Sequence, residues 1–130
     1  MDLDISNNSD HSIVVFNRDT EEGVVLNPNS TDRFEGDHLV IGIPPNERLR
    51  IIEQFEFIGE LEDLPEAGAL LKSIKDGTPQ ELSVTIFNVD ADSIKVTYHD
   101  VPNGSSDSMN LSEDDSQDFE VVGYIELAKV

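Results

Sequence analysis

The chain has 130 residues, a formal net charge of −20 and hydrophobic residues at 37% of its positions. This length fits one domain with one ordinary core, and the apolar content argues against wholesale disorder despite the charge. The chain has no cysteine, which excludes disulfides, thiolate metal sites and thiol nucleophiles. The acids are spread over the whole length, so they belong to the folded surface and disfavour nucleic acid and acidic membranes as partners.

Apolar residues alternate with other residues through most of the chain, which predicts an all-β fold of about eight or nine strands. Turn residues separate the runs at spacings typical of a β-sandwich or jelly-roll-like domain. In chain order, the predicted strands contain Leu3/Ile5, Ile13/Val15, Val24/Leu26, Leu39/Ile41/Ile43, Leu49/Ile51 with Phe55/Phe57, Leu82/Val84/Ile86, Ile94/Val96/Tyr98 and Val121/Gly123/Ile125/Leu127.

A crossover over 63–77 is predicted to contain one short helix, over about residues 65–75. Asp63 and Glu66 form a capping-box pattern, and Pro65 suits a first helical turn. Apolar residues at three- and four-residue spacing give the helix one apolar stripe. We expect this stripe to cover one end or face of the sheet, with binding to a partner as the alternative.

The two sides of this helix resemble each other, which predicts an internal pseudo-repeat of residues 1–60 and 80–130 within a single domain, 1–130. Apolar alternation, asparagine, serine, leucine and phenylalanine positions all coincide. Two similar β-motifs packed about a pseudo-twofold axis are the expected consequence. The gap-free matches are 3–15 with 84–96 and 26–35 with 111–120.

Asn88, Asp90 and Asp92 have the sharpest ligand-like spacing, because oxygen side chains at alternate positions can converge on Ca²⁺. An EF-hand loop would have glycine and a bidentate glutamate where Ser93 and His99 stand. A turn between strands, held by side-chain hydrogen bonds, explains the same residues. We favour the turn and keep a calcium site as the alternative; no other cofactor is predicted.

The densest acidic stretch runs from Asp100 to Asp118 without a base and is predicted to be a solvated loop. The alternative is a contact site for a basic surface. A mimic of nucleic acid would need these acids on one face, because the average surface charge is about threefold more dilute than that of duplex DNA. The candidate partner-binding residues are Asp107, Glu113, Asp114, Asp115 and Asp118.

Catalytic patterns are thin, since the three histidines are scattered and the sequence has neither a nucleophile elbow nor a phosphate-binding loop. We therefore expect a non-enzymatic structural or accessory protein of a larger assembly, such as a virion decoration or capsid-associated subunit. The alternative is an acidic inhibitor or immunity-type protein that blocks a basic enzyme surface. A Ca²⁺-dependent binding module is the third interpretation.

Partners are expected to be proteins, either basic ones or further copies of this chain, and not nucleic acid or membranes. The amino terminus is acidic where a secretory signal needs a basic region, and no apolar run is long enough to cross a membrane. A virion or cytoplasmic location is the expectation that follows.

Overall fold

The computed structural model describes residues 1–43 and 81–130. All nine strands in these ranges pair in antiparallel fashion, which confirms the all-β prediction, and the described residues include no helix. The predicted helix over 65–75 lies outside the described residues, as does the predicted strand over 49–57. The strands are β1 (Asp2–Asn7), β2 (Ile13–Asn17), β3 (Glu22–Leu26), β4 (Thr31–Glu35), β5 (His38–Gly42), β6 (Glu81–Asn88), β7 (Ile94–Asp100), β8 (Ser105–Leu111) and β9 (Ser116–Lys129).

The strands form an antiparallel sheet that curls nearly into a barrel. Its order is β3-β2-β5-β9-β6-β1-β4, and β7 joins it by pairing with β8 and β9. With 14 residues, β9 is the longest of the described strands. It pairs with β6 along its first half and with β5 and β7 along its second half. The finer prediction of a sandwich or jelly roll stays a prediction.

The strand β9 changes partners at Gly123. Val122 lies opposite Glu81 of β6, and Gly123 lies opposite Asp100 of β7. A Cβ atom at position 123 would overlap the carbonyl oxygen of His99. Glycine is therefore needed here because the β7 backbone approaches so closely.

The core fills the inside of the curled sheet, and every described strand contributes to it. Ile5 and Ile86 lie directly opposite each other and are fully buried. Burying one such side chain contributes roughly 1.5–3 kcal/mol. The cluster consists of Leu3, Ile5, Ile13, Val15, Leu26, Phe34, Leu39, Ile41, Ile43, Leu82, Val84, Ile86, Ile94, Val96, Leu111, Phe119, Val121, Ile125 and Leu127.

A second group of buried apolar residues lies on the other face of β2 and β5. Val14, Phe16 and Val40 are at most 2% exposed but do not belong to the core cluster. They alternate with Val15 and Ile41, which face the core, so they point away from it. These two strands are therefore apolar on both faces.

The pairings within β1–β5 recur within β6–β9. Leu3 lies opposite Phe34 in the β1–β4 pair. Adding 81 to the β1 number and 85 to the β4 number gives Val84 opposite Phe119, which is the register of the β6–β9 pair. We call β1–β5 motif 1 and β6–β9 motif 2. The β2–β3 and β7–β8 pairs correspond in the same way, as Ile13 opposite Leu26 and Ile94 opposite Leu111.

The prediction of a solvated loop from Asp100 to Asp118 is wrong, because β8 and the start of β9 lie in that stretch. Within the described sheet β8 pairs with β7 alone, and only Met109 and Leu111 of its residues are not exposed. An edge strand without a full apolar face gives no period-two signal. The strand β4 was missed for the same reason, since only Phe34 in it is buried.

Candidate functional site: two acid-lined grooves

One groove lies where the start of β1 meets the turn between β6 and β7. The backbone amide of Val89 donates a 3.1 Å hydrogen bond to the carbonyl oxygen of Asp2, which brings the turn of motif 2 onto motif 1. We call this shallow, open concavity the amino-terminal groove. The carboxylates that line it belong to Asp2, Asp19, Glu35, Asp37 and Asp90.

The α-amino group of Met1 lies in the amino-terminal groove. It donates to the carbonyl oxygen of Gly36 at 3.0 Å and lies 3.7 Å from the carboxylate of Asp90. The pKa of Asp90 is lowered, first by the hydrogen bond from the backbone amide of Asp92 and also by the positive amino group, against the opposing effect of burial. Asp90 is therefore held as an anion at neutral pH.

The second groove lies at the opposite end of β6, about 23 Å away at roughly 3.3 Å per residue. Tyr98 lines it together with Val121 and Val122, and its ring centroid lies 5.7 Å from that of Phe119. Burial first, then the charge and hydrogen bond of Asp107, raise the pKa of Tyr98. We call this concavity the Tyr98 groove. Its carboxylates belong to Glu81, Asp100, Asp107 and Glu120.

The five predicted partner-binding residues do not form one surface. Asp107 lies in the Tyr98 groove. Glu113, Asp114 and Asp115 form the turn before β9, and the amide of Asp114 donates to the carbonyl oxygen of Asn88 at 2.8 Å. Their neighbour in sequence, Asp118, instead accepts a 2.6 Å hydrogen bond from the hydroxyl of Thr85 on the β6–β9 pair. The structure thus divides the predicted patch among three places.

Most acids of the amino-terminal groove were not singled out from the sequence. Asp2, Asp19 and Glu35 lie near the ends of different strands of motif 1, far apart along the chain. Only the antiparallel pairing of β1 with β6 brings them to Asp90. The internal repeat was the available signal, since a twofold axis between the motifs places the start of the first strand of one, β1, beside the end of the first strand of the other, β6.

Asn88 is fully buried, and its side chain bonds only to backbone. Its Nδ2 donates to the carbonyl oxygens of Asp92 and Leu111, both at 3.0 Å, and its Oδ1 accepts from the amide of Asp90 at 2.9 Å. The carboxylate of Asp92 instead lies 3.8 Å from Nζ of Lys129. The three candidate calcium ligands therefore serve different partners, and the cation prediction gains no support.

Asn7 makes the same contacts in motif 1. Its Nδ2 donates to the carbonyl oxygens of His11 and Leu26, and its Oδ1 accepts from the amide of Ser9, all at 2.9 Å. The turn between β3 and β4 and its counterpart between β8 and β9 each contain a residue in the left-handed conformation. These residues are Asn29 with φ 61° and Asp114 with φ 64°. The favoured interpretation, a turn held by side-chain hydrogen bonds, describes both sites.

Two of the three scattered histidines, His38 and His99, lie beside the carboxylate of one residue in the sheet, Glu126. Nε2 of His38 lies 3.5 Å from Oε2 of Glu126, and Nε2 of His99 lies 3.2 Å from Oε1. His99 also stacks on Tyr124 and bonds through Nδ1 to the hydroxyl of Ser106 at 2.7 Å. These contacts tie β5, β7, β8 and β9 together. Within 1–43 and 81–130, no group of three or more His, Asp or Glu side chains could hold a metal ion.

No protein-family model matches the chain, and neither a curated protein nor a solved structure matches it. In the part of the chain that the structure describes, no helix has the length and apolar character needed to span a membrane.

Proposed function

We propose that the protein is a non-enzymatic structural or accessory subunit of a larger protein assembly, such as a virion decoration or capsid-associated subunit. The observation that carries the proposal is the position of two acid-lined grooves at opposite ends of β6. A subunit within an assembly touches neighbours on more than one side. An inhibitor, in contrast, needs its charge gathered where the target's active surface lies.

The lining of both grooves supports basic protein surfaces as the neighbours. Neither groove is lined by a lysine or an arginine among the described residues, and the cationic α-amino group of Met1 in the amino-terminal groove is outnumbered by the five carboxylates there. Concavities in which one charge sign prevails concentrate the opposite charge and speed its association. Such charges contribute more to the rate and specificity of association than to raw affinity. The partners proposed for the grooves are therefore basic proteins, while other copies of the chain, which carry the same net charge of −20, associate through other surfaces, in a virion or in the cytoplasm.

The same proposal includes a finer description of the fold, a single-domain β-sandwich built from two similar motifs. It is supported by the division of β9, which pairs with β6 by one half and with β5 and β7 by the other. A strand that belongs to two layers in this way lets both layers face one core. The shared core cluster, which draws on both motifs, supports one domain.

An acidic inhibitor or immunity-type protein is the second candidate. The amino-terminal groove favours it, because carboxylates from both motifs meet in one concavity there. Such a protein would cover the basic surface of a nuclease or another nucleic-acid-binding enzyme with this one end. Its binding would weaken steeply with salt.

Three matched pairs of substitutions, each removing two charges, test the proposal. The probe is a synthetic lysine-rich peptide of about 20 residues, and binding is measured by calorimetry at about 50 mM salt, where screening is weak. The third pair lies outside both grooves and is the control. The pairs are Asp107→Asn/Glu120→Gln in the Tyr98 groove, Asp19→Asn/Asp37→Asn in the amino-terminal groove, and Asp10→Asn/Glu113→Gln in exposed turns.

We expect each groove pair to weaken peptide binding by about fivefold or more, and the control by less than about twofold, because a concave anionic surface focuses the field. A loss confined to the amino-terminal pair would favour the inhibitor. Equal losses in all three variants would contradict the proposal, since only net charge would then matter.

A further inference from the structure

The two motifs meet along two seams, and the first is symmetric. In the β1–β6 seam Ile5 lies directly opposite Ile86, its counterpart 81 positions further on. The pairs on either side of this point are related by the same offset: replacing each residue of one pair by its counterpart in the other motif gives the other pair. Both motifs therefore use the same surface, which is how twofold-symmetric dimers associate. The flanking pairs are Leu3 with Asn88 and Asn7 with Val84.

The second seam, between β5 and the end of β9, has the same property. Leu39 lies opposite Leu127, and Ile41 lies opposite Ile125. Ile41 lies opposite Val15 in the β2–β5 pair, and Leu127 lies opposite Val96, the counterpart of Val15, in the β7–β9 pair. Ile41 and Leu127 therefore hold equivalent positions in the two motifs. The two pairs are therefore related by the same twofold axis. All four residues are at most 1% exposed, so the side of the seam that faces the core is apolar.

We propose that the chain associates with a second copy of itself by exchanging motifs, so that motif 1 of one copy pairs with motif 2 of the other. The seam contacts are the same in the closed chain and in the exchanged dimer, so exchange sacrifices none of them. Residues 44–80 connect the motifs, and a chain of that many residues can span at most about 120 Å at roughly 3.3 Å per residue. That is several times the length of β6.

The exchanged dimer deepens the proposed function and rests on it, because it names a second copy as one neighbour in the assembly. It also doubles the number of grooves on one particle. Two linked binding surfaces raise the apparent affinity for a repeated partner without any new contact.

A pair of cysteines across the seam distinguishes the two forms. The chain has no cysteine of its own. Ser6 lies opposite Thr85 across the β1–β6 seam, so a disulfide in S6C/T85C joins one chain when closed and two chains when exchanged. The control is S6C/T31C, because Ser6 also lies opposite Thr31 within motif 1, with their hydroxyls 2.7 Å apart. Its disulfide stays within one chain in both forms.

Each full-length variant is unfolded in reductant, refolded at about 5 µM or about 500 µM, diluted to one concentration and then oxidised. Exchange is bimolecular, so the ratio of covalent dimer to monomer in S6C/T85C should rise up to about a hundredfold between the two samples. The control should give no covalent dimer. No dimer from S6C/T85C, or equal dimer from both variants, would overturn the proposal.

The unsubstituted chain, refolded in the same two ways, provides a second measurement that does not depend on cysteines. Light scattering after dilution should show a persistent dimer only from the concentrated sample. If the cysteine variants do not fold, a monomer in both samples overturns the exchange. The groove function fails separately, through the peptide-binding assay on monomeric protein.

Discussion

At the scale of single residues, two buried asparagines fix the turns that join the first two strands of each motif. Each makes three hydrogen bonds to backbone groups. We expect Asn88→Ala to lower the free energy of unfolding by about 2–4 kcal/mol, because it leaves buried backbone groups unsatisfied. Asn7→Ala should match it within about 1 kcal/mol, and exposed Asn110→Ala should cost less than about 0.5 kcal/mol. Denaturant unfolding measures all three; a loss at Asn88 no larger than the control would contradict the assignment.

These residues also show why the site chemistry was hard to predict. Asn88, Asp90 and Asp92 offer oxygen atoms at alternate positions, and oxygen atoms serve a cation and a turn equally well. Which role applies depends on where each side chain points. Asn88 points inward because the carbonyl oxygen of Leu111, from another strand, needs a donor there. That long-range partner cannot be found from local spacing.

The hydroxyl of Tyr98 titrates above its ordinary value of 10.0 because of burial and because of Asp107. The neutral hydroxyl therefore stabilises the fold fully below about pH 10, and this contribution is lost as the pH rises through the folded pKa. In a Tyr124→Phe background, Asp107→Asn should move the pKa of Tyr98 down, but not to the ordinary value, since burial remains. The absorbance of tyrosinate follows the titration. An unchanged or higher pKa would show that Asp107 has no influence.

At the scale of elements, β9 holds the molecule together because it pairs with three strands. Its change of partner depends on Gly123, where a side chain would meet the backbone of His99. We expect Gly123→Ala to lower the free energy of unfolding by about 3 kcal/mol or more. The control is Gly104→Ala, since Gly104 has φ +64° but open space around it, and about 1 kcal/mol is expected there. Equal losses in thermal or denaturant unfolding would refute the steric account.

The two motifs differ in burial on the outer face of their second strands, β2 and β7. Phe16 in β2 is 2% exposed, whereas Thr97, at the equivalent register in β7, is only partly buried. We expect Phe16→Ala to cost about 3–5 kcal/mol, as for a core aromatic residue, although it lies outside the core cluster. Thr97→Ala should cost less than about 1 kcal/mol. Similar small losses at both positions in chemical unfolding would mean that this face is not packed.

The sequence predicted strands well where one face is fully buried, and poorly elsewhere. The alternation of Leu82, Val84 and Ile86 corresponds to β6, whose buried residues follow the same period. The edge strand β8 has almost no buried residues, so its pattern looked like that of a loop. Hydrophobic periodicity reports burial, and an edge strand held mainly by backbone hydrogen bonds escapes it.

At the scale of the whole molecule, the total charge was evident from the sequence but its distribution was not. The predicted patch around Asp114 combined residues that are adjacent in the chain, while the sheet gathers acids from strand ends distant in sequence. Groove membership depends on the pairing of β1 with β6 and on the path of β9. Both are long-range features that composition and spacing do not fix.

Thermal unfolding with light scattering, from about 0.05 M to about 3 M ammonium sulfate, is the decisive test of whether the protein is a subunit of a larger assembly. Screening of surface repulsion is nearly complete by about 1 M, where the Debye length is no more than about 3 Å. Attraction of basic partners to the grooves is screened by then, whereas burial of apolar surface is favoured further by a kosmotropic salt such as ammonium sulfate, so we expect self-association through the apolar core face of the seams to continue to strengthen above that concentration. A stable monomer at about 0.05 M, unchanged at every higher concentration, would contradict it and favour the inhibitor.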